Sequence, residues 1–106
     1  MRRVLVPLAA TALVLGLAAG QALGGNKTVR ADNFDFEAKR VTIQAGDKVT
    51  WKNVEGRHTV TLRNGSFDKT ISGNERVSKK FKREGTFRYY CRFHLAQKMK
   101  GKVVVK

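Results

Sequence analysis

Gly85-Thr86-Phe87-Arg88-Tyr89-Tyr90, then Cys91-Arg92-Phe93-His94-Leu95-Ala96-Gln97-Lys98-Met99-Lys100-Gly101, then Lys102-Val103-Val104-Val105, form two strand-like runs that enclose one loop. The flanking runs are rich in β-branched and aromatic residues, as strands are. A loop that leaves one strand and returns along its neighbour can aim several side chains at one point. This loop holds the chain's one cysteine, one of its two histidines and one of its two methionines, the other being Met1.

Taken singly, each has an ordinary reading. A lone cysteine is usually a small buried hydrophobe, a methionine fills core gaps, and a histidine is usually structural or solvated. Together they form a pattern: Cys91, two residues, His94, four residues, Met99. With His58 supplied from elsewhere in the chain, they make a His₂Cys set with a weak thioether, the donor combination of a blue-copper electron-transfer site. Zinc could take the two imidazoles and the thiolate, but the Met99 thioether would be wasted on it. The expected cofactor is one copper ion per chain, held by His58, Cys91, His94 and Met99.

The rest of the chain has the texture of short strands. Lys27-Thr28-Val29-Arg30-Ala31 reads as a first edge strand, and Phe34 and Phe36 as core anchors around Asp35. Val41 and Ile43, then Val49 and Trp51, alternate with polar neighbours, the period-two pattern of strands with one buried face. Ala45-Gly46-Asp47 supplies a turn between them, and Asn64-Gly65 and Gly73-Asn74 are further turn signals. Runs from His58 to Leu62 and from Arg76 to Phe81 add two more strands. Residues 66–75 are compatible with strand, loop or one short helix. The fold expected is all-β, a small antiparallel Greek-key sandwich of seven to eight strands. Tyr89 shares the Cys91 face and belongs to the core, Tyr90 points the other way, and Trp51 is expected in the core.

The N-terminus reads differently. Arg2 and Arg3 precede an apolar run, Val4 to Ala19, followed by small residues, the layout of a secretory signal cleaved after Ala22. Residues 1–22 are therefore expected to be a signal peptide and 23–106 the copper-binding domain. The rival is an uncleaved anchor through residues 4–20, but spanning takes about 20 apolar residues and Pro7 interrupts this run. An exported location, periplasmic or extracellular, suits a single cysteine that has a metal to bind. Without Arg2 and Arg3 the chain keeps about +12 of its formal +14 charge, which steers it toward anionic partners. Export argues against nucleic acid, leaving redox proteins with acidic docking surfaces, or loose association with an envelope surface, for a chain expected to act as a monomer.

Three blocks resemble the cupredoxins of the plastocyanin, pseudoazurin and amicyanin group: Val41 to Trp51, Gly56-Arg57-His58-Thr59-Val60, and Tyr90-Cys91-Arg92-Phe93-His94 through Val103. The resemblance places that family's four ligands on His58, Cys91, His94 and Met99. It also implies a mobile one-electron carrier in which His94 reaches the surface through an apolar patch and His58 is buried. Arg57, Arg92, Lys98 and Lys100 would rim that patch, and Tyr90 would offer a second electron path. Two positions depart from the family. Phe93 stands where many relatives have proline, which would give the Cys91 sulfur an extra N–H donor and raise the potential. Thr59 stands where asparagine often bridges the loops. An enzyme is not expected, because four ligands leave no open position for a substrate. The alternative reading is copper delivery by the same ligands without redox turnover.

Overall fold

The computed structural model describes residues 25–106. The expected signal peptide or anchor, residues 1–22, lies outside them. Among the described residues no helix is long and apolar enough to cross a membrane.

Among the described residues nine strands form two sheets: β1 Lys27–Asp32, β2 Asp35–Glu37, β3 Arg40–Ile43, β4 Lys48–Asn53, β5 Arg57–Leu62, β6 Asp68–Ser72, β7 Arg76–Lys80, β8 Gly85–Tyr90 and β9 Lys100–Val105. One sheet has the order β2-β1-β4-β7, the other β3-β9-β8-β5-β6. The all-β sandwich agrees with the sequence reading. The wholly antiparallel arrangement does not, since β1 runs parallel to β4 and β3 parallel to β9. Each parallel pair joins strands separated by an excursion into other strands, long enough for the crossover that parallel pairing needs. Inside–outside alternation looks the same in either direction, so the pattern of residues could not distinguish them.

The core lies between the sheets. Alternation drives it: in β4, Val49, Trp51 and Asn53 are buried while Lys48, Thr50 and Lys52 are not. Trp51 packs edge-on to Tyr89 with ring centroids 5.2 Å apart, and Tyr89 packs similarly on Phe36 at 4.9 Å. The turn before β4 uses Gly46 at φ 101°, a conformation open to glycine. Asp47 secures it by accepting the N–H groups of Gln44 and Gly25.

One placement corrects the sequence reading and another resolves it. Phe36 is buried, but Phe34 is 45 % exposed; it lies in the β1–β2 turn, ahead of β2, where strand alternation does not apply. The ambiguous segment at residues 66–75 contains β6, an edge strand in which only Ile71 is fully buried.

β5 differs from the other strands: His58, Thr59, Val60, Thr61 and Leu62 are all buried. Its two faces are covered, one by the core and the other by groups that include the loop after β8.

Candidate metal centre

Strand β8 ends at Tyr90, and Cys91 follows with its side chain on the buried face. Arg92–His94 then form one 3-10 turn. The Cys91 N–H bonds the Met99 carbonyl at 3.0 Å, which closes the loop, and the His94 N–H turns back to the Cys91 carbonyl at 3.3 Å. Lys98 adopts φ 58° immediately before Met99, the left-handed conformation that reverses the chain into β9. His58 enters from β5.

These elements bring three donor atoms together. His94 Nδ1 lies 3.2 Å from His58 Nδ1 and 3.3 Å from Cys91 Sγ, and Cys91 Sγ lies 3.9 Å from His58 Nδ1. A point equidistant from three atoms so spaced is about 2.0 Å from each, a normal metal–nitrogen distance and slightly short of a metal–thiolate bond. The residues therefore fit a copper ion without rearrangement. Met99 is buried at 1 % exposure and completes the soft donor set.

The surroundings fix the donors. His58 Nε2 lies 2.7 Å from the Glu55 carbonyl oxygen. A carbonyl only accepts, so Nε2 carries the proton and Nδ1 presents its lone pair inward. Gly56, at φ 84°, permits this approach: a Cβ there would stand 3.2 Å from His58 Nε2 and overlap the Asn33 side chain. Burial, with His58 alongside, holds the His94 imidazole below its ordinary value and favours the neutral ring a metal requires. The Thr59 N–H donates to Cys91 Sγ at 3.4 Å.

Among the described residues the backbone hydrogen bond recorded to the Cys91 sulfur comes from β5, at Thr59. The Phe93 ring is 40 % exposed, with the Arg57 guanidinium 4.8 Å and the Arg92 guanidinium 5.5 Å from its centroid. Thr59 keeps the loop-bridging role that asparagine would have filled: its hydroxyl accepts the Arg92 N–H at 2.7 Å.

The four basic residues expected to form a rim have different surroundings. Arg57 and Arg92 flank Phe93, but Arg92 is also ion-paired with Asp68 at 3.1 Å. Lys98 is exposed on the loop. Lys100 instead borders a concavity of about 240 Å³ with Lys39, Arg63, Arg88 and Lys102. Tyr90 carries the Arg63 guanidinium over its ring at 4.5 Å.

The sequence reading missed Phe34. Its ring centroid lies 4.7 Å from that of His94, and with Phe93 and Leu95 it is among the exposed large hydrophobic residues. It also missed Glu55, whose carbonyl carries no residue signal, and Thr61 and Asp68, which only the pairing of β5 with β6 brings together.

A β-sandwich that presents two imidazoles, a thiolate and a buried thioether at one end is a copper protein of the cupredoxin class. The chain belongs to the plastocyanin/azurin family of copper binding proteins, whose profile matches residues 24–106. It is 33 % identical over 84 residues to a plastocyanin from Scenedesmus fuscus, covering 67 % of this chain and 86 % of that one. It is 31 % identical over 84 residues to a chloroplastic plastocyanin from Tetradesmus obliquus, and spans only 58 % of that relative's length. The crystal structure of amicyanin from Paracoccus versutus superposes with a TM-score of 0.68 at 26 % identity, covering 76 % of this chain and 81 % of that one.

Proposed function

We propose that this chain is an exported carrier of single electrons, docking acidic redox partners over His94. The observation that carries this reading is the contrast in exposure among the four ligands. His58 and Cys91 are fully buried and Met99 nearly so, whereas His94 is part-exposed beneath Phe34 and between Phe93 and Leu95.

Copper bound here supplies a one-electron couple between its cuprous and cupric forms. The protein's contribution is to hold the donors still. His58 is locked by the Glu55 carbonyl, Cys91 by the Thr59 N–H and by β8, and Met99 by its carbonyl's bond to the Cys91 N–H. Donors that keep their places between oxidation states leave little to reorganise when an electron moves.

An apolar patch around one edge-exposed imidazole lets a partner approach the metal closely and exclude water. The high positive charge, with Arg57 beside Phe93 and Lys98 on the loop, steers acidic partners to it. The basic concavity at Lys39, Arg63, Arg88, Lys100 and Lys102 extends the same field along the sheet. Thr59 and Phe93 support the site from outside the ligand set.

One equivalent of Cu(II) added to the purified protein is expected to give an intense blue colour that Cys91→Ser abolishes. A colourless wild type would refute the copper site. Voltammetry then separates carrier from delivery protein: a reversible couple and slow metal loss support electron transfer, whereas rapid copper release to a chelator supports delivery. Electron transfer to an acidic partner is expected to slow as salt rises, and a salt-independent rate would remove the electrostatic part of the proposal.

A further inference from the structure

Thr59 does two things at once. Its N–H reaches the Cys91 sulfur, and its hydroxyl oxygen accepts the Arg92 N–H of the ligand loop. The hydroxyl hydrogen of Thr59 remains to be placed. Thr61 Oγ1 lies 3.0 Å from Thr59 Oγ1 and 2.7 Å from Asp68 Oδ1. A carboxylate only accepts and Thr61 has a single hydroxyl hydrogen, so that hydrogen goes to the shorter bond with Asp68 and the Thr61 oxygen is left to accept the Thr59 hydroxyl. Arg92 Nε donates to the same Asp68 oxygen at 3.1 Å.

The bonds close on themselves. From the Arg92 N–H they run through Thr59 and Thr61 to Asp68, and return to Arg92 by its guanidinium. The ring ties together β5, β6 and the ligand loop. Thr59 is fully buried and Thr61 nearly so, and each bond in such a shielded chain strengthens the next. Asp68, the anion at its end, is held below the ordinary carboxylate range by the Thr61 hydroxyl and by Arg92.

We propose that Thr61 and Asp68 are positioning residues for the metal-binding thiolate: through Thr59 and Arg92 they set how firmly the Thr59 N–H is held against the Cys91 sulfur. The inference rests on the copper reading above. A donor held on the sulfur stabilises negative charge there and so favours the reduced site. Cutting the ring lets the ligand loop and β5 move apart, weakens that donor, and lowers the potential.

Thr61→Val tests this with almost no change in shape and none in charge, and Thr61→Ser restores the hydroxyl. In the metal-free protein, exchange of the Arg92 amide hydrogen is expected to be at least tenfold faster in Thr61→Val, on the order of the loss of one buried hydrogen bond, and near the wild-type rate in Thr61→Ser. In the copper-loaded protein the midpoint potential is expected to fall in Thr61→Val and recover in Thr61→Ser. Unchanged Arg92 exchange together with an unchanged potential in Thr61→Val overturns the proposal. If that variant does not fold, Asp68→Asn at its exposed position is read by the same exchange measurement, and there an unaltered rate overturns it. A wild type that takes up no copper sinks the copper reading, whereas a blue protein indifferent to these changes sinks this inference alone.

Discussion

The Phe34 ring lies across the His94 imidazole at a centroid distance of 4.7 Å, tilted by 55°. It reaches there from the β1–β2 turn in the opposite sheet, so both sheets contribute to the surface over the metal site. Phe34→Ala is expected to cost no more than about 1 kcal/mol of stability, because the side chain is half-exposed. It should slow electron self-exchange several-fold by removing apolar contact between two strongly cationic molecules. Line broadening in mixtures of oxidised and reduced protein measures this, and an unchanged rate would place electron exchange elsewhere.

Gly56 lets the chain turn beneath His58. Gly56→Ala places a Cβ at Nε2 and against Asn33 in a backbone conformation that alanine resists. A loss of about 1–3 kcal/mol is expected from strain and overlap together. Because the displaced atom belongs to a ligand ring, copper retention against a chelator should fall as well. A variant that loses stability in urea titration but keeps its metal as tightly would show that the ring is oriented by something other than Glu55.

Gly101 faces Tyr89 across the β8–β9 ladder. A Cβ at this position would stand 2.5 Å from the Tyr89 hydroxyl oxygen. The phenol cannot retreat, since its ring is wedged against Trp51 and Phe36; burial also pushes its ionisation up to about 12, with Trp51 acting in the opposite sense. Gly101→Ala is expected to destabilise by about 1–3 kcal/mol. Adding Tyr89→Phe should recover part of that loss, and a double-mutant cycle with no coupling would contradict the contact.

Asp47 accepts the N–H groups of Gly25 and Gln44, and these bonds hold its carboxyl below the ordinary 3.8. The charged form is thus favoured by folding. Its contribution is complete above the unfolded-state value and disappears as pH falls through the lower folded-state value. Asp47→Asn should lower the urea midpoint at pH 7, and the difference from wild type should shrink as pH falls through the lowered folded-state value and the wild-type carboxylate takes up its proton. A difference that keeps its size across that fall would exclude ionisation as its origin.

The ligands were readable because soft donors are scarce in this chain, and Cys91, His94 and Met99 fall within one loop between two plain strands. β4 was equally plain, since Val49 and Trp51 alternate with lysine and threonine. β6 was not, because as an edge strand it buries little besides Ile71, and exposed strands carry no alternation. Phe34 was misplaced because its spacing from Phe36 imitates a strand face, although the backbone at Phe34 is still turning. Strand direction left no mark at all, as β1–β4 and β3–β9 would alternate identically if reversed. The Thr59–Thr61–Asp68–Arg92 ring escaped notice because hydroxyl and carboxylate partners are too common in sequence to stand out until the fold places them side by side.

Strand β9 is hydrogen-bonded to β3 on one side and β8 on the other, and the loop that carries three of the ligands is closed only when it docks. The thiolate and both imidazoles precede in the chain the strand that gathers them, so the site is complete only once β9 has paired with β3 and β8.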